Sequence, residues 1–573
     1  MTRGLQLALL VAVSVFAAAT SGHAQTASQL APPPVHHDVP PPREGGVAAP
    51  PAPESVAPVS GGDLRVKVRD VVVTGGLAAL QLRTDTIIAG LHDRVVSVAE
   101  LYKAADALEA AYARAGYVLV RVVVPAQDLR DGGDVHLAVV DGFIERIDTS
   151  ALPTQIRDYV ARILAPLARR KGIRLGDIER RVLLAGDAPG TLLRTTLARG
   201  SEPGGTLLIV QARFAAHGIS ADLDDSVGNS LGTYTGGLNV ALNSPYGHGE
   251  QLYMRLDGDP ANGWNGIGGR DPINRSLALG AVVPLSHDGL SLSFDALGAR
   301  TAPRHADAAL GVASDFGRVA VGLHYAVVHA RDLNLNANLS FDADQDKLNA
   351  VTPVKAPISL DRTRVVRLGL DAFALQGQGS LTASVTASFG LTGLGARTQA
   401  QATPDLPLSR QGADARFSKL EADVGYVSNL GRHAQFSLHV RGQTSFNKPL
   451  LTSEQAGLAG PGGLSAFDSG LLQGDQALLV RAELASPGAM ALRSAGIGVS
   501  PYVFMAAGKA IIESPTALEP NHIDASSYGV GVRMSLDHPP AGGTFLTLEW
   551  ARGWRDDGHG LKNHVGVSVS SRF

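Results

Sequence analysis

Leu333-Asn334-Leu335-Asn336-Ala337-Asn338-Leu339-Ser340-Phe341 carries an apolar residue at every odd position and a small polar one at every even position. Successive side chains of a β-strand point to opposite faces, so this stretch predicts a strand with one greasy and one wet face. The pattern recurs. Leu381, Ala383, Val385, Ala387 and Phe389 alternate with Thr382, Ser384, Thr386 and Ser388, and Tyr528, Val530, Val532, Met534 and Leu536 alternate with Gly529, Gly531, Arg533 and Ser535. In Leu420, Ala422, Val424 and Tyr426 the intervening positions hold Glu421 and Asp423, so even carboxylates fall on the wet side. A soluble sandwich turns such polar faces outward and a membrane barrel turns them inward; periodicity alone does not choose between them.

Context makes the choice. Arg3 precedes an apolar run from Leu5 to Ala19, followed by Thr20-Ser21-Gly22-His23-Ala24, which predicts a secretory signal peptide over residues 1–24 with cleavage after Ala24. No later stretch approaches the ~18 apolar residues of a membrane-spanning helix. Ten of the 32 prolines follow, in Pro32-Pro33-Pro34, Pro40-Pro41-Pro42, Pro50-Pro51, Pro53 and Pro58, so residues 25–63 are expected to be an extended Pro-rich linker. Gln25 to Leu30 is too short for a stable isolated helix, and no amphipathic plug helix is evident there. His36-His37 lies in this tract without a further metal ligand.

Between Leu64 and Arg213 the periodicity switches from strand to helix and back, twice. Val71-Val72-Val73-Thr74 predicts a strand, and Ser97-Val98-Ala99-Glu100 is a capping box that opens a helix. Val98, Leu101, Ala105, Leu108 and Tyr112 line one face of that helix, Gly116 ends it, and Tyr117–Val124 and Val135–Val140 read as strands. Two small α+β units are expected, over residues 64–142 and 143–214, with a barrel from 215 to 573.

Ala115-Gly116-Tyr117-Val118, Val124-Pro125-Ala126-Gln127-Asp128-Leu129 and Val139-Val140-Asp141-Gly142 resemble the first polypeptide-transport-associated (POTRA) domain of two-partner secretion transporters. These are the TpsB-type haemolysin secretion/activation proteins. Asp177-Ile178-Glu179-Arg180-Arg181 through Pro189-Gly190 resembles their second. Asn243-Ser244-Pro245-Tyr246-Gly247-His248-Gly249-Glu250 is similar to an early turn usually ending in Asp. Leu458 to Asp475, containing Gly460, Pro461, Gly463, Leu464, Ser465, Phe467 and Gly474, resembles the family's long inward-folded loop, here near residues 456–475. Its tip usually carries an arginine where this chain has Ser465. Phe504-Met505-Ala506-Ala507-Gly508 matches a facing strand whose usual aspartate is replaced by Ala506.

The resemblance implies a 16-stranded antiparallel outer-membrane barrel behind two periplasmic POTRA domains. At roughly 22 residues per strand and connection, the length after residue 214 suits 16 strands. It implies client capture near Gly116, Tyr117, Pro125, Gln127, Asp128, Gly142, Arg180, Pro189 and Gly190, and an assembly signal in the final strand with Gly566 and Phe573. The implied partners are a secreted TpsA-like exoprotein, outer-membrane lipid and the barrel-assembly machinery. With the usual loop-to-wall ion pair missing at both ends, Phe467 is expected to be the main anchor of the loop. A barrel-assembly insertase of the same superfamily remains the alternative, and a passive porin a third.

Other chemistries lack their residues. A net charge of −3 offers no basic field for nucleic acid, and the absence of cysteine removes thiolate metal sites and Cys nucleophiles. Gly228-Asn229-Ser230-Leu231-Gly232 fits G-x-S-x-G, but strand-like sequence follows it where a nucleophile elbow requires a helix. Asp342-Ala343-Asp344-Gln345-Asp346 departs from a calcium loop at Lys347 and Pro353, and reads as loop acids. No Walker loop occurs, and neither an enzymatic activity nor a cofactor nor a metal is expected.

Overall fold

The computed structural model describes residues 25–32 and 64–573, except 233, 264–267, 270–271, 304–310, 353, 488–489, 493–495, 518, 539–541 and 559. The expected signal peptide and most of the Pro-rich linker lie outside the described residues. Among those described, no helix is long and apolar enough to cross a membrane.

The first small unit contains strands β1 (Arg65–Thr74), β2 (Arg94–Ser97), β3 (Arg121–Val123) and β4 (Gly133–Val140) in the order β2-β1-β4-β3. Helix α2 (Gln81–Ile88) precedes α3 (Val98–Arg114), which begins as its sequence dictates: the Ser97 hydroxyl accepts from Glu100 N, and Glu100 Oε2 accepts from Ser97 N at 2.6 Å. Leu101, Leu108 and Tyr112 are fully buried with Val68, Val135 and Leu137, each such side chain stabilising by about 1.5–3 kcal/mol. The expected strand from Tyr117 shortens to Arg121–Val123, because Tyr117–Leu119 turn inward to close the core.

In the second unit β5 (Phe143–Asp148), β7 (Gly205–Phe214) and β6 (Thr191–Arg199) form a sheet in that order. It is covered by α4 (Thr154–Leu164) and α5 (Leu175–Gly186), whose Ile156, Val160, Ile163, Ile178 and Val182 pack with Leu208 and Val210.

The barrel closes as β8 (His217–Asp224), β9 (Thr235–Asn243), β10 (Gln251–Gly258), β11 (Asn274–Pro284), β12 (Leu290–Thr301), β13 (Gly311–His329), β14 (Leu333–Thr352), β15 (Ala356–Gln376), β16 (Gly379–Gly390), β17 (Ser418–Leu430) and β18 (Ala434–Thr444). The long loop follows, with a minimal hairpin β19 (Ala456–Gly457) and β20 (Gln473–Gly474). Then come β21 (Gln476–Ala485) with its short continuation β22 (Met490–Leu492), β23 (Ile497–Ile511), β24 (His522–His538), β25 (Gly542–Arg555) and β26 (Leu561–Arg572), which returns to β8. Counting β21 and β22 as one gives the 16 antiparallel strands expected.

Alternation sets the faces. Val319, Val321, Leu323 and Tyr325 point outward to lipid while Arg318 and His324 are buried on the inner side. Asp342, Asp344 and Asp346, expected in a loop, are buried on β14 instead; their alternation with Ala343 and Gln345 is a strand pattern whose wet face lines the lumen. Strands β13 to β15 run to 19–21 residues, about twice the ~10 that cross a bilayer, so this side of the barrel extends well beyond the membrane.

The chain from residue 25 does not begin as linker. Ala27–Leu30 forms helix α1, too short to persist alone but held by the barrel, with Ala27 packed against Ala278, Leu297 and Phe316. Tertiary contact overrides the length argument there.

Candidate functional site in the barrel lumen

The periplasmic mouth is marked by the second POTRA unit. On α5, Arg180 donates to Ala326 O at 2.7 Å and to Val327 O and Asp288 O; Arg181 pairs with Asp288 at 2.6 Å. His329 Nε2 lies 2.8 Å from Asp187 Oδ2. The Tyr159 ring passes so close over Gly249 that an added Cβ would sit 2.6 Å from it, which explains the glycine. Burial and Asp187 push the Tyr159 phenol up to about 12, so it stays neutral. Glu250, in place of the usual Asp, still caps the turn by accepting from Tyr246 N and His248 N.

The residues assigned to client capture divide into two joints and a loop. Gly116 O accepts from Leu175 N and Tyr117 accepts from Arg174 at 3.2 Å, so these two join the POTRA units, while Gly142 packs at the end of the first, where a Cβ would strike Leu119 O. Arg180, Pro189 and Gly190 stand at the junction with the barrel, where a Cβ on Gly190 would meet Ala215 O at 2.3 Å. Pro125, Gln127 and Asp128 lie on an exposed loop, and the Gln127 amide pairs with both backbone groups of His136 on β4.

Two segments fill the lumen. The long loop is anchored at its base by two buried carboxylates. Asp475 accepts from Arg410 at 2.7 Å, Leu450 N at 2.9 Å, Gln455 Nε2 at 3.2 Å and Glu513 N at 2.7 Å. Glu454 holds Arg367 at 2.9 Å and Lys419 at 3.0 Å. Gly460 (φ +101°) and Gly463 are required at the tip, since a Cβ would stand 2.3 Å from Ser469 Oγ and 2.5 Å from Leu458 O respectively. A Cβ on Gly474 would crowd Gln476 O and Ile511 O, and Pro461 is exposed.

The tip is driven into the wall. Leu464, Ala466 and Phe467 are buried; Ala466 and Phe467 fill the space left by Gly553, and Leu464 that left by Gly508. Ala466 N donates to Ser527 Oγ at 3.2 Å. Ala506 faces inward in register with Arg481, whose guanidinium reaches Gly463 O and Ser465 Oγ, each at 3.1 Å, and lies 3.7 Å from the Phe504 ring centroid. Arg481 also pairs with Glu549 at 2.7 Å. Neither Arg481 nor Glu549 was singled out from sequence. Their one signal was charge at inward positions of greasy strands, as in Val480-Arg481-Ala482-Glu483-Leu484.

The second segment is Gln25–Pro32. Gln25 accepts from Gly228 N at 2.9 Å and donates to Ser469 O; Ser28 donates to Asp346 at 2.5 Å; Gln29 donates to Gln473 at 2.8 Å; Pro32 O accepts from Arg318. It bridges the long loop on one side and strands β12 to β14 on the other. Gly228–Gly232 lies in the loop between β8 and β9 beside it, with β9 following. At the barrel's end Gly566 faces Glu549 in register, and Phe573 is exposed with its N–H bonded to Ile219 O.

A closed membrane barrel with paired transport-type domains at one mouth and its lumen filled by its own chain defines an outer-membrane polypeptide transporter. A model of the haemolysin secretion/activation protein family (ShlB/FhaC/HecB) matches residues 205–534, and one of the ShlB-type POTRA domain matches 66–142. The chain belongs to this family of two-partner secretion outer-membrane transporters, whose POTRA domains lie in the periplasm.

Among curated relatives, the outer membrane transporter CdiB of Escherichia coli is 24% identical over 216 residues, 37% of this chain and 35% of that protein. CdiB of E. coli O6:K15:H31 (strain 536 / UPEC) is 24% identical over 217 residues. The matches thus span about a third of those relatives' length, 35% and 36%. The fold is similar to solved CdiB from E. coli (TM-score 0.69, 17% identity, 91% of this chain and 94% of that one). It is also similar to CdiB from Acinetobacter baumannii (TM-score 0.60, 15% identity, 89% and 90%).

Proposed function

We propose that the protein captures an unfolded secretory partner in the periplasm and exports it through the barrel lumen to the cell surface. The observation that carries this is the lumen itself: a polar channel, entered beneath a docked POTRA unit and occupied by a segment of the chain that brings no charged side chain and is held by hydrogen bonds without an ion pair.

Capture by strand addition needs an unpaired edge. On β4 the edge beyond β3 is met by Gln127, and on β5 it is met by Ala168 and Arg169. Strand β6 pairs on one side alone, with β7, and β2 likewise with β1. These two edges are the capture sites in this reading, and the glycines and arginines at the joints fix the path from them to the lumen. CdiB's name describes an outer membrane transporter; a TpsA-like exoprotein is the corresponding client here.

The insertase alternative is favoured by one feature, the short seam in which Ser568–Arg572 pair with Ser220–Asp224, extended by one hydrogen-bonded residue at each end. The two readings separate when that seam is locked. The chain has no cysteine, so Asp222→Cys and Ser570→Cys, register partners, form the sole cross-link. Export of a large exoprotein encoded in the neighbouring reading frame is then measured at the cell surface. Secretion should survive the lock and fail when residues 64–142 are deleted. Secretion lost on locking and restored by reductant would favour lateral insertion instead.

A further inference from the structure

We propose that Arg481, borne by the barrel wall, is the residue that positions the tip of the long lumen loop. The cation stands on the wall, and the loop supplies neutral acceptors. This assignment concerns the loop's attachment and does not depend on the export reading.

The guanidinium is a rigid planar fork with five N–H donors, able to serve two sides at once. Nη1 donates to Gly463 O and Ser465 Oγ on the loop, and Nη2 donates to Glu549 on β25. Phe504 supports the flat face, and Phe504 itself lies over Gly529, where a Cβ would come within 2.8 Å of the ring. Glu549 is fixed in turn by the Tyr502 hydroxyl at 2.7 Å. One step along the wall, Arg533 stacks 4.1 Å from the Tyr502 centroid and pairs with Glu483 at 2.9 Å; Arg481 Nη2 lies 3.6 Å from the same carboxylate, so its closer partners are Glu549 and the loop. Arg481 is 7% exposed, so its charge is withdrawn from water and the partners are obligatory.

The two departures from the family pattern follow from this geometry. An arginine at 465 would bring a second guanidinium onto Arg481, and a carboxylate at 506 would duplicate Glu549. Ser465 and Ala506 are the residues compatible with a wall-borne cation, and they meet through it.

A single reporter thiol tests the assignment. Ala466→Cys is buried in the docked loop and unique in the chain, so its maleimide labelling rate in outer-membrane fractions reports tip release. Arg481→Ala should raise that rate about ten- to a hundredfold, the equivalent of losing hydrogen bonds from a charged donor. The barrel should keep its mobility shift between unboiled and boiled samples. Arg481→Lys should fall between, and Arg441→Ala, which removes an equal charge from the wall where it pairs with Asp423 and does not touch the loop, should leave labelling unchanged. Arg481→Ser combined with Ser465→Arg and Ala506→Asp should restore protection by returning the cation to the loop.

A protected thiol in Arg481→Ala, or equal exposure in Arg441→Ala, overturns the assignment. If Arg481→Ala does not assemble, Ser465→Ala decides: a rise of up to about tenfold upholds the anchor, and unchanged labelling overturns it.

Discussion

The long loop and the N-terminal segment occupy the same lumen but are held by different chemistry. The loop is fixed by Asp475 and Glu454, each buried and each meeting cations, and by a tip whose aromatic and aliphatic side chains fill glycine-sized recesses. The segment from Gln25 to Pro32 is held by glutamine, serine and backbone groups. Separating a buried ion pair strands a charge at a cost of about 3–5 kcal/mol, whereas the segment's hydrogen bonds yield to water at about 1 kcal/mol each, and about 1.5–3 kcal/mol where Asp346 or Arg318 is the partner. One region is built to stay and the other to leave.

The largest effect is therefore expected at the loop base. Asp475→Ala removes the acceptor of four hydrogen bonds and leaves Arg410 buried without its anion, a loss of about 3–5 kcal/mol that should appear as protease cleavage within 450–475 in otherwise heat-modifiable barrels. Intact resistance would erase the distinction between the regions. Next comes Gly553→Val, which overpacks the site of Phe467 and should cost about 1–3 kcal/mol, read as faster labelling of the Ala466→Cys reporter. Gln29→Ala should be milder, about 0.5–1.5 kcal/mol, raising the open fraction of single channels in planar bilayers while the loop stays protected. Pro461→Ala, exposed at the tip, should change stability by less than about 0.5 kcal/mol in chemical denaturation.

Much of the fold was legible because its signals are local. Alternation writes membrane strands into consecutive residues, the number 16 follows from the family resemblance and the length after residue 214, and Ser97 with Glu100 announces α3 within four residues. Gly460, Gly463 and Phe467 were legible through the family resemblance, and the reason for the glycines, a close approach to Ser469 and Leu458, emerges from the packing. What escaped depends on residues distant in sequence. Arg481 and Glu549 are 68 positions apart and meet through curvature of the wall. Phe467 is buried against Gly553, and beside it the tip also meets a cation that the loop motif does not contain. Helix α1 has no stability of its own to betray it. The joint residues Gly116 and Gly190 carried a recognisable order whose physical reason, backbone contact with the next unit at Gly116 and with the start of the barrel at Gly190, emerges when those parts are packed; Gly142 answers to Leu119 O within its own unit.

The central claim is that the exported chain passes through the space now held by the N-terminal segment. Ser28 and Asp346 touch at 2.5 Å, and the chain has no other thiol to confuse a cross-link between Ser28→Cys and Asp346→Cys. Surface appearance of the exoprotein should cease when these two positions are joined by a disulfide or a short bismaleimide, and return on reduction of the disulfide. Undiminished secretion with the segment fully tethered would contradict the account.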